Sequence, residues 1–405
     1  MNRALRLYDP GLFWLALTAT VLGMLFVFDA GYPRSIAAGH GAIPREFLFQ
    51  GVFLVVAIVA SVLCAGIRPD KWKSIAKVVW WVSFGSLLLV FFPAIGVAMN
   101  GAHRWIKLGP LMIQPGEFVK IASILYLASI FADRKTWPKK IQFKNNVEWA
   151  DRVMMPKLAR AVPAIVVFAG VMLIEKEPDM GTGAVVAFVA FCMLFLGGVS
   201  RKSLFAAICL AAVGVYVMVR QEPYRMERIL SHPHRWEAGI MDDTAYQTVQ
   251  SELAMASGGI PGTGVGNGRA KHVEPAATTD FILATVGEEF GFFGVLVVIM
   301  VTCGLVIRLL ALAAKAPTKF GSLILSGCAG WIGIQAAVNI MMANGTLPAI
   351  GIPFPFISSG GSSLVALWMA MGVCQSVIAP QTVEEDELAP SRHRWWHRRP
   401  RLSRA

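Results

Sequence analysis

Ten separate runs of apolar residues, near 11–30, 46–66, 77–99, 118–132, 158–175, 182–199, 203–219, 285–314, 319–343 and 361–380, constrain this chain more than any motif in it. Each approaches the roughly 20 residues that a helix needs to cross about 30 Å of hydrocarbon. Lipid offers no partners to backbone N–H and C=O groups, so such runs must close their hydrogen bonds internally as helices. A mean hydropathy of +0.58 and a charged fraction of only 15% agree. The expectation is an all-α polytopic membrane protein of about ten transmembrane helices, with 1–380 as one membrane domain and 381–405 as a basic tail. The first run holds Phe13, Trp14 and Phe28 and continues into DAGYPRS rather than a small-residue cleavage site, which reads as a retained anchor.

Lys and Arg number 37 against 25 Asp and Glu, a net charge of +12 that in a soluble protein would suggest nucleic acid as a partner. Here the cations sort to alternate loops: Arg3 and Arg6, Arg68 to Lys77, Arg134 to Lys157, Arg201 and Lys202, Arg308 to Lys319, and the tail SRHRWWHRRPRLSRA. The positive-inside rule assigns these segments and both termini to the cytoplasm. A basic, Trp-containing tail just past a final helix suits anionic membrane lipids, not nucleic acid. The six cysteines all lie in apolar runs without a CxxC pair, which suggests neither a disulfide framework nor a zinc site.

The outer face is left with 31–45, 99–117, 176–181, 220–284 and 344–360. The long extracytoplasmic loop 220–284, between helices seven and eight, opens with Arg225, Arg228 and Arg235, which suit anionic groups. An apolar stripe of Val249, Leu253 and Ala256 predicts a short surface or re-entrant helix from Tyr246 to Ala256. The glycines from Gly258 to Gly268 permit tight turns, but no Lys-Ser/Thr follows, so this is not a P-loop.

Four of these five outer segments hold nearly all the unusual residues. In NGAHRWIKLGPLMIQPGEFVK, Arg104, Lys107 and Lys120 are candidates for phosphate contact, while Lys120 at i+3 from Glu117 also suits a local ion pair. In EKEPDMGTG, Asp179 is placed to cap the next helix. The serines of PFISSGGSSL lack a local His–Asp partner and are expected to cap the last helix or line a polar cavity. TTDFILATVGEEFG sets three acids at the mouth of the eighth run. On a helix beginning at Asp280, Glu288 lies roughly 12 Å along and about 80° round, with Glu289 near the opposite face. Asp280 is therefore expected to act alone at the outer edge, as an N-cap or as a reactive carboxylate, and Glu288 and Glu289 to pair with Arg or Lys of other helices.

Five of these stretches, GAHRWIKLGPLMIQPGEFVK, EPDMGT, YQTVQSELAMASGGIPGTGVGNG, TDFILATVGEEFG and GTLPAIGIPFPFISSGGSS, resemble the SEDS family, the group containing FtsW, RodA and SpoVE. The chain departs from the family pattern at Gly116, Ser359, Ala276 and Thr278, the last two standing where Glu and His are common. The resemblance implies a peptidoglycan glycosyltransferase of the bacterial cytoplasmic membrane that polymerises lipid II, the undecaprenyl-diphosphate-linked disaccharide peptide, at the outer face. It implies Asp280 as catalytic residue and Arg104, Lys107, Glu117, Lys120, Asp179, Arg225, Gln247, Gln250, Lys271 and Ser358 as the substrate-binding set. It also implies a class B penicillin-binding transpeptidase and other divisome or elongasome membrane proteins as partners. Asn100 and the basic tail lean toward FtsW. A glycosyl transfer from a polyprenyl diphosphate needs a base for the acceptor hydroxyl and cations for the leaving group, with a divalent cation (Mg or Mn) as possible help. Rival readings are a lipid II flippase, which needs polar residues along the whole membrane depth, and a scaffold, which would leave Asp280 dispensable.

Overall fold

In a computed structural model the protein is described over residues 9–93, 95–99, 102–109, 111–133 and 155–393. Most of the basic segment from Arg134 to Lys157, and the tail from 394, lie outside these residues. The chain runs α1 (Pro10–Ala37), α2 (Arg45–Gly66), α3 (Pro69–Leu89), β1 (Gly96–Met99), β2 (Ala102–Leu108), β3 (Leu111–Ile113), α4 (Pro115–Phe131), α5 (Met155–Lys176), α6 (Met180–Leu196) and α7 (Arg201–Gln221). It continues through α8 (Pro223–Ser231), α9 (Tyr246–Gly258), α10 (Ala270–Val273), α11 (Ile282–Lys315), α12 (Lys319–Ala343) and α13 (Gly361–His393).

Local chemistry sets many of these boundaries. Proline opens α1, α3, α4 and α8, where its missing N–H costs nothing. Side chains of Asp9, Asp179, Ser200 and Thr318 cap α1, α6, α7 and α12 by accepting backbone N–H groups. Among the described residues six stretches, against the ten expected from sequence, are long and apolar enough to cross a membrane: α1, α2, α7, α11, α12 and Gly361–Ala379 of α13. The chain is a multi-pass membrane protein. Its interior is built on α4, α12 and α13, with Trp80, Trp331 and Trp368 fully enclosed. Leu63 on α2, Val82 on α3 and Leu210 on α7 point outward, as surfaces facing lipid do.

Three features differ from the sequence expectation. The third run stops as α3 at Leu89, because Pro93 cannot continue a helix, and Gly96–Met99 becomes a strand instead. It joins a small antiparallel sheet in the order β1-β2-β3, with Val97 opposite Trp105 and Ile106 opposite Ile113. The eighth run is two helices end to end, broken at Gly291, where φ is +64°. The first of them, from Ile282, is buried nearly all round and does not begin at Asp280. The expected helix in the long loop is present as α9.

Candidate active site

Asp280 sits in the turn before α11, and its backbone is fastened from two other elements. Asn339, a polar residue inside α12, donates Nδ2 to the Asp280 carbonyl at 2.7 Å and to that of Ile352 at 2.7 Å. Ser358 Oγ donates to the Thr279 carbonyl at 2.5 Å and accepts the Phe354 N–H at 2.7 Å, while the Ser359 N–H reaches the Thr278 carbonyl at 2.8 Å. The loop that supplies these bonds holds Phe356 at φ +63°, a strained conformation for a bulky residue that costs about 1–3 kcal/mol and persists where surroundings over-determine it. Ser358 thus fixes the segment carrying Asp280.

The carboxylate itself is left free: among the described residues no hydrogen bond reaches it. It opens into a cavity of about 350 Å³ lined by Arg104, Gln114, Glu117, Asp179, Thr182, Thr279, Ser359 and Ser362, among others. Burial pushes the Asp280 carboxyl up to about 6, with Asp179 adding to the rise and Arg104 and Arg228 opposing it. Asp179 accepts the Thr182 N–H at 3.1 Å and Gln114 Nε2 at 2.7 Å, so it both caps α6 and faces the cavity. Arg104 on β2 is held by the carbonyls of Glu177 (3.1 Å) and Pro178. Between those carbonyls and Asp179, the side chain of Glu177 is fully buried with neither oxygen bonded, and burial pushes it up to about 9.

Glu288 and Glu289, expected on different faces and seeking cations, converge instead on one stretch of the Gly-rich loop. Glu288 accepts the N–H groups of Arg269 and Ala270, each at 2.8 Å. Glu289 accepts those of Gly266 at 2.9 Å and Gly268 at 3.0 Å, and pairs with Lys271 at 2.6 Å. Only Glu289 finds the predicted cation, and it comes from the loop. Where α11 breaks, its open backbone groups are met by the same loop: Thr263 N–H to Glu288 O at 2.9 Å and Phe292 N–H to Gly259 O at 2.9 Å. Gly262 must hold φ +84° against the Glu289 carbonyl, a place no side chain fits.

Of the residues singled out from sequence, the structure gathers Arg104, Glu117, Asp179 and Asp280 around one cavity. Lys107, exposed on the opposite face of β2 from Arg104, does not line it. Three expected phosphate contacts are already engaged. Lys120 is 1% exposed, 2.6 Å from Glu117 Oε1 and beneath the Trp331 ring. Arg225 is bonded to Glu175, with both side chains mostly buried. Lys271 lies between Asp29 (2.8 Å) and Glu289, away from the cavity lining. Gln247 and Gln250 are half-buried on α9 and do not line the cavity. Asp280 does not cap α11, whose N-cap is Phe281. Sequence reasoning did not select Gln114 or Asn339, and named Arg228 only together with Arg225 and Arg235 as suited to anionic groups. Asn339 was visible as a polar residue in an apolar run, whereas Arg228 was one of three loop arginines and only the fold distinguishes it: Arg225 and Arg235 pair with carboxylates, while Arg228 bonds the Ala349 carbonyl and the Tyr224 hydroxyl.

The chain is similar to known proteins over most of its length. Residues 10–382 match the cell cycle protein family FtsW/RodA/SpoVE. The "Probable peptidoglycan glycosyltransferase FtsW" of Geobacter metallireducens is 33% identical over 374 residues, covering 91% of this chain and 94% of that protein. Stage V sporulation protein E of Bacillus subtilis is 32% identical over 335 residues, covering 82% and 86%. Among solved structures, a chain of a peptidoglycan synthase complex described as coordinating polymerization and crosslinking superposes with a TM-score of 0.72 at 26% identity, covering 92% of this chain and 98% of that one. The rod shape determining protein RodA of Thermus thermophilus gives 0.63 at 26% identity, covering 92% and 96%.

Proposed function

This chain belongs to the FtsW/RodA/SpoVE family and is a peptidoglycan glycosyltransferase, and we propose that the Asp280 cavity is where it polymerises lipid II. The observation that carries this reading is a single unbonded carboxylate, raised to about 6, opening into a polar cavity at the end of an apolar bundle. In that state Asp280 is ionised at neutral pH yet basic enough to take a proton as a sugar hydroxyl attacks. The acceptor oxygen forms a bond to the anomeric carbon of the donor sugar as the bond from that carbon to the diphosphate breaks. The proton goes to Asp280 and the polyprenyl diphosphate leaves with the bonding electrons.

Arg104 and Arg228 are the cations best placed to meet the diphosphate. A divalent cation would find Asp280 and Asp179 at this cavity, and among the described residues no cluster of three or more ligands gathers to hold one. Most of its shell would then come from phosphate oxygens and water, as Mg²⁺ prefers. The cavity is assigned to the outer face of the bacterial cytoplasmic membrane, with both termini cytoplasmic, and the partner to a class B penicillin-binding transpeptidase of the division machinery.

The test is direct. Purified protein, reconstituted with that transpeptidase, lipid II and Mg²⁺, should produce glycan strands resolved by gel electrophoresis. Movement of lipid II across a vesicle bilayer without any strand formation would support a flippase and sink the proposal.

A further inference from the structure

Six residues before Asp280, Glu274 buries a second carboxyl that the chemistry above leaves unused. It is 1% exposed. Its Oε1 accepts the Ala276 N–H at 3.1 Å, and its Oε2 is enclosed without a partner. A buried carboxyl with an unbonded oxygen is costly, so it stays only where something depends on it or where it carries a proton.

The bonds around it lead to Asp280. The Ala276 carbonyl accepts from the Thr279 N–H at 3.0 Å, the Thr279 hydroxyl at 3.3 Å and the Phe281 N–H at 3.1 Å, the two residues that flank Asp280. The Ala276 peptide is thus a hub for the turn, tied on its N–H side by the Glu274 carboxyl. Arg34 on α1 anchors this peptide and the next one upstream, donating to the carbonyls of Pro275 and Glu274. Ala276 itself brings no side-chain polar group to this task, so the acid two residues earlier supplies it.

We propose that Glu274 is a positioning residue for Asp280, holding the Ala276 peptide so that the turn presents the Asp280 carboxylate to the cavity. The proposal rests on the reading of Asp280 as the base. Glu274 touches neither cavity nor substrate, and it acts through the backbone. The charged groups facing it are Arg34 from α1 and Asp280 from its own segment. Burial first, and then the charge of Asp280, raise it to about 7, against the Ala276 N–H and Arg34.

The experiment compares Glu274→Ala, Glu274→Gln and Asp280→Asn, each reconstituted with the transpeptidase, in initial rates of strand formation from lipid II between pH 5 and 9. Glu274→Ala should lower kcat about tenfold with KM for lipid II unchanged, since loss of positioning acts on the reacting geometry. Glu274→Gln, whose amide oxygen can accept the same N–H, should restore kcat to the wild-type value. Should Glu274→Ala fail to fold, Glu274→Gln remains the decisive reading, and a kcat there as low as a tenth of the wild-type value overturns the proposal. Wild-type kcat in Glu274→Ala beside an inactive Asp280→Asn overturns this proposal alone. An Asp280→Asn enzyme as fast as wild type overturns the base as well.

Discussion

The Asn339 side chain bridges two carbonyls, that of Asp280 and that of Ile352, each at 2.7 Å. One amide therefore joins the segment carrying the proposed base to the loop that closes over it. Removing it leaves two buried carbonyls short of a donor, at about 1–3 kcal/mol each. Asn339→Leu is expected to lower the strand-forming rate at least tenfold while leaving capture of the transpeptidase in a pull-down unchanged.

Activity should follow the ionisation of Asp280. With its carboxyl raised to about 6, the base is protonated and idle below that pH, so kcat should fall about tenfold per unit beneath it. An ordinary carboxylate near 4 would keep the rate flat down to pH 5, and that outcome would remove the argument from burial.

Glu177 yields a stability prediction. Its folded value of about 9 exceeds the ordinary 4.5, so the folded state holds the proton more tightly than the unfolded state does. Stability from this group is fully present below 4.5 and declines as pH rises toward 9. Glu177→Gln is neutral in both states and removes the decline. At pH 7 it should stabilise the detergent-solubilised protein by about 3 kcal/mol, with less gain at pH 5, as read by thermal unfolding.

Lys120 and Glu117 form a pair with side chains only 1% and 3% exposed. Lys120→Met alone strands a buried carboxylate and should cost about 3–5 kcal/mol, and adding Glu117→Gln should recover most of that loss. A double variant no more stable than the single one would contradict the pairing.

The Gly-rich loop should tolerate little. Gly262→Ala forces a side chain against the Glu289 carbonyl at φ +84°. The backbone term alone is about 1–2 kcal/mol. Faster proteolysis between 258 and 270 in this variant would report the loosened loop.

Much of this was legible in the sequence, and what was not has physical causes. Hydropathy located the helices because bilayer thickness fixes their length, and the interruption at Pro93 was there to be read. Asp280, Asp179 and Arg104 could be singled out because charge beside an apolar run needs a reason. The pairing of Lys120 with Glu117 followed from helical spacing, whereas whether that pair faced phosphate or protein depended on Trp331 and Gln335, some two hundred residues away. The convergence of Glu288 and Glu289 on backbone N–H groups was invisible, because loop amides leave no trace in residue type. Helical geometry also misled, since the helix starts at Ile282 rather than at Asp280.

The central claim is that one carboxylate removes the acceptor's proton. Single-turnover strand extension by Asp280→Asn, at pH 7 in complex with the transpeptidase, tests it most directly. The account predicts a rate lower by about a hundredfold or more, with lipid II still bound at near wild-type affinity. An Asp280→Asn enzyme that extends strands within twofold of the wild-type rate would contradict it.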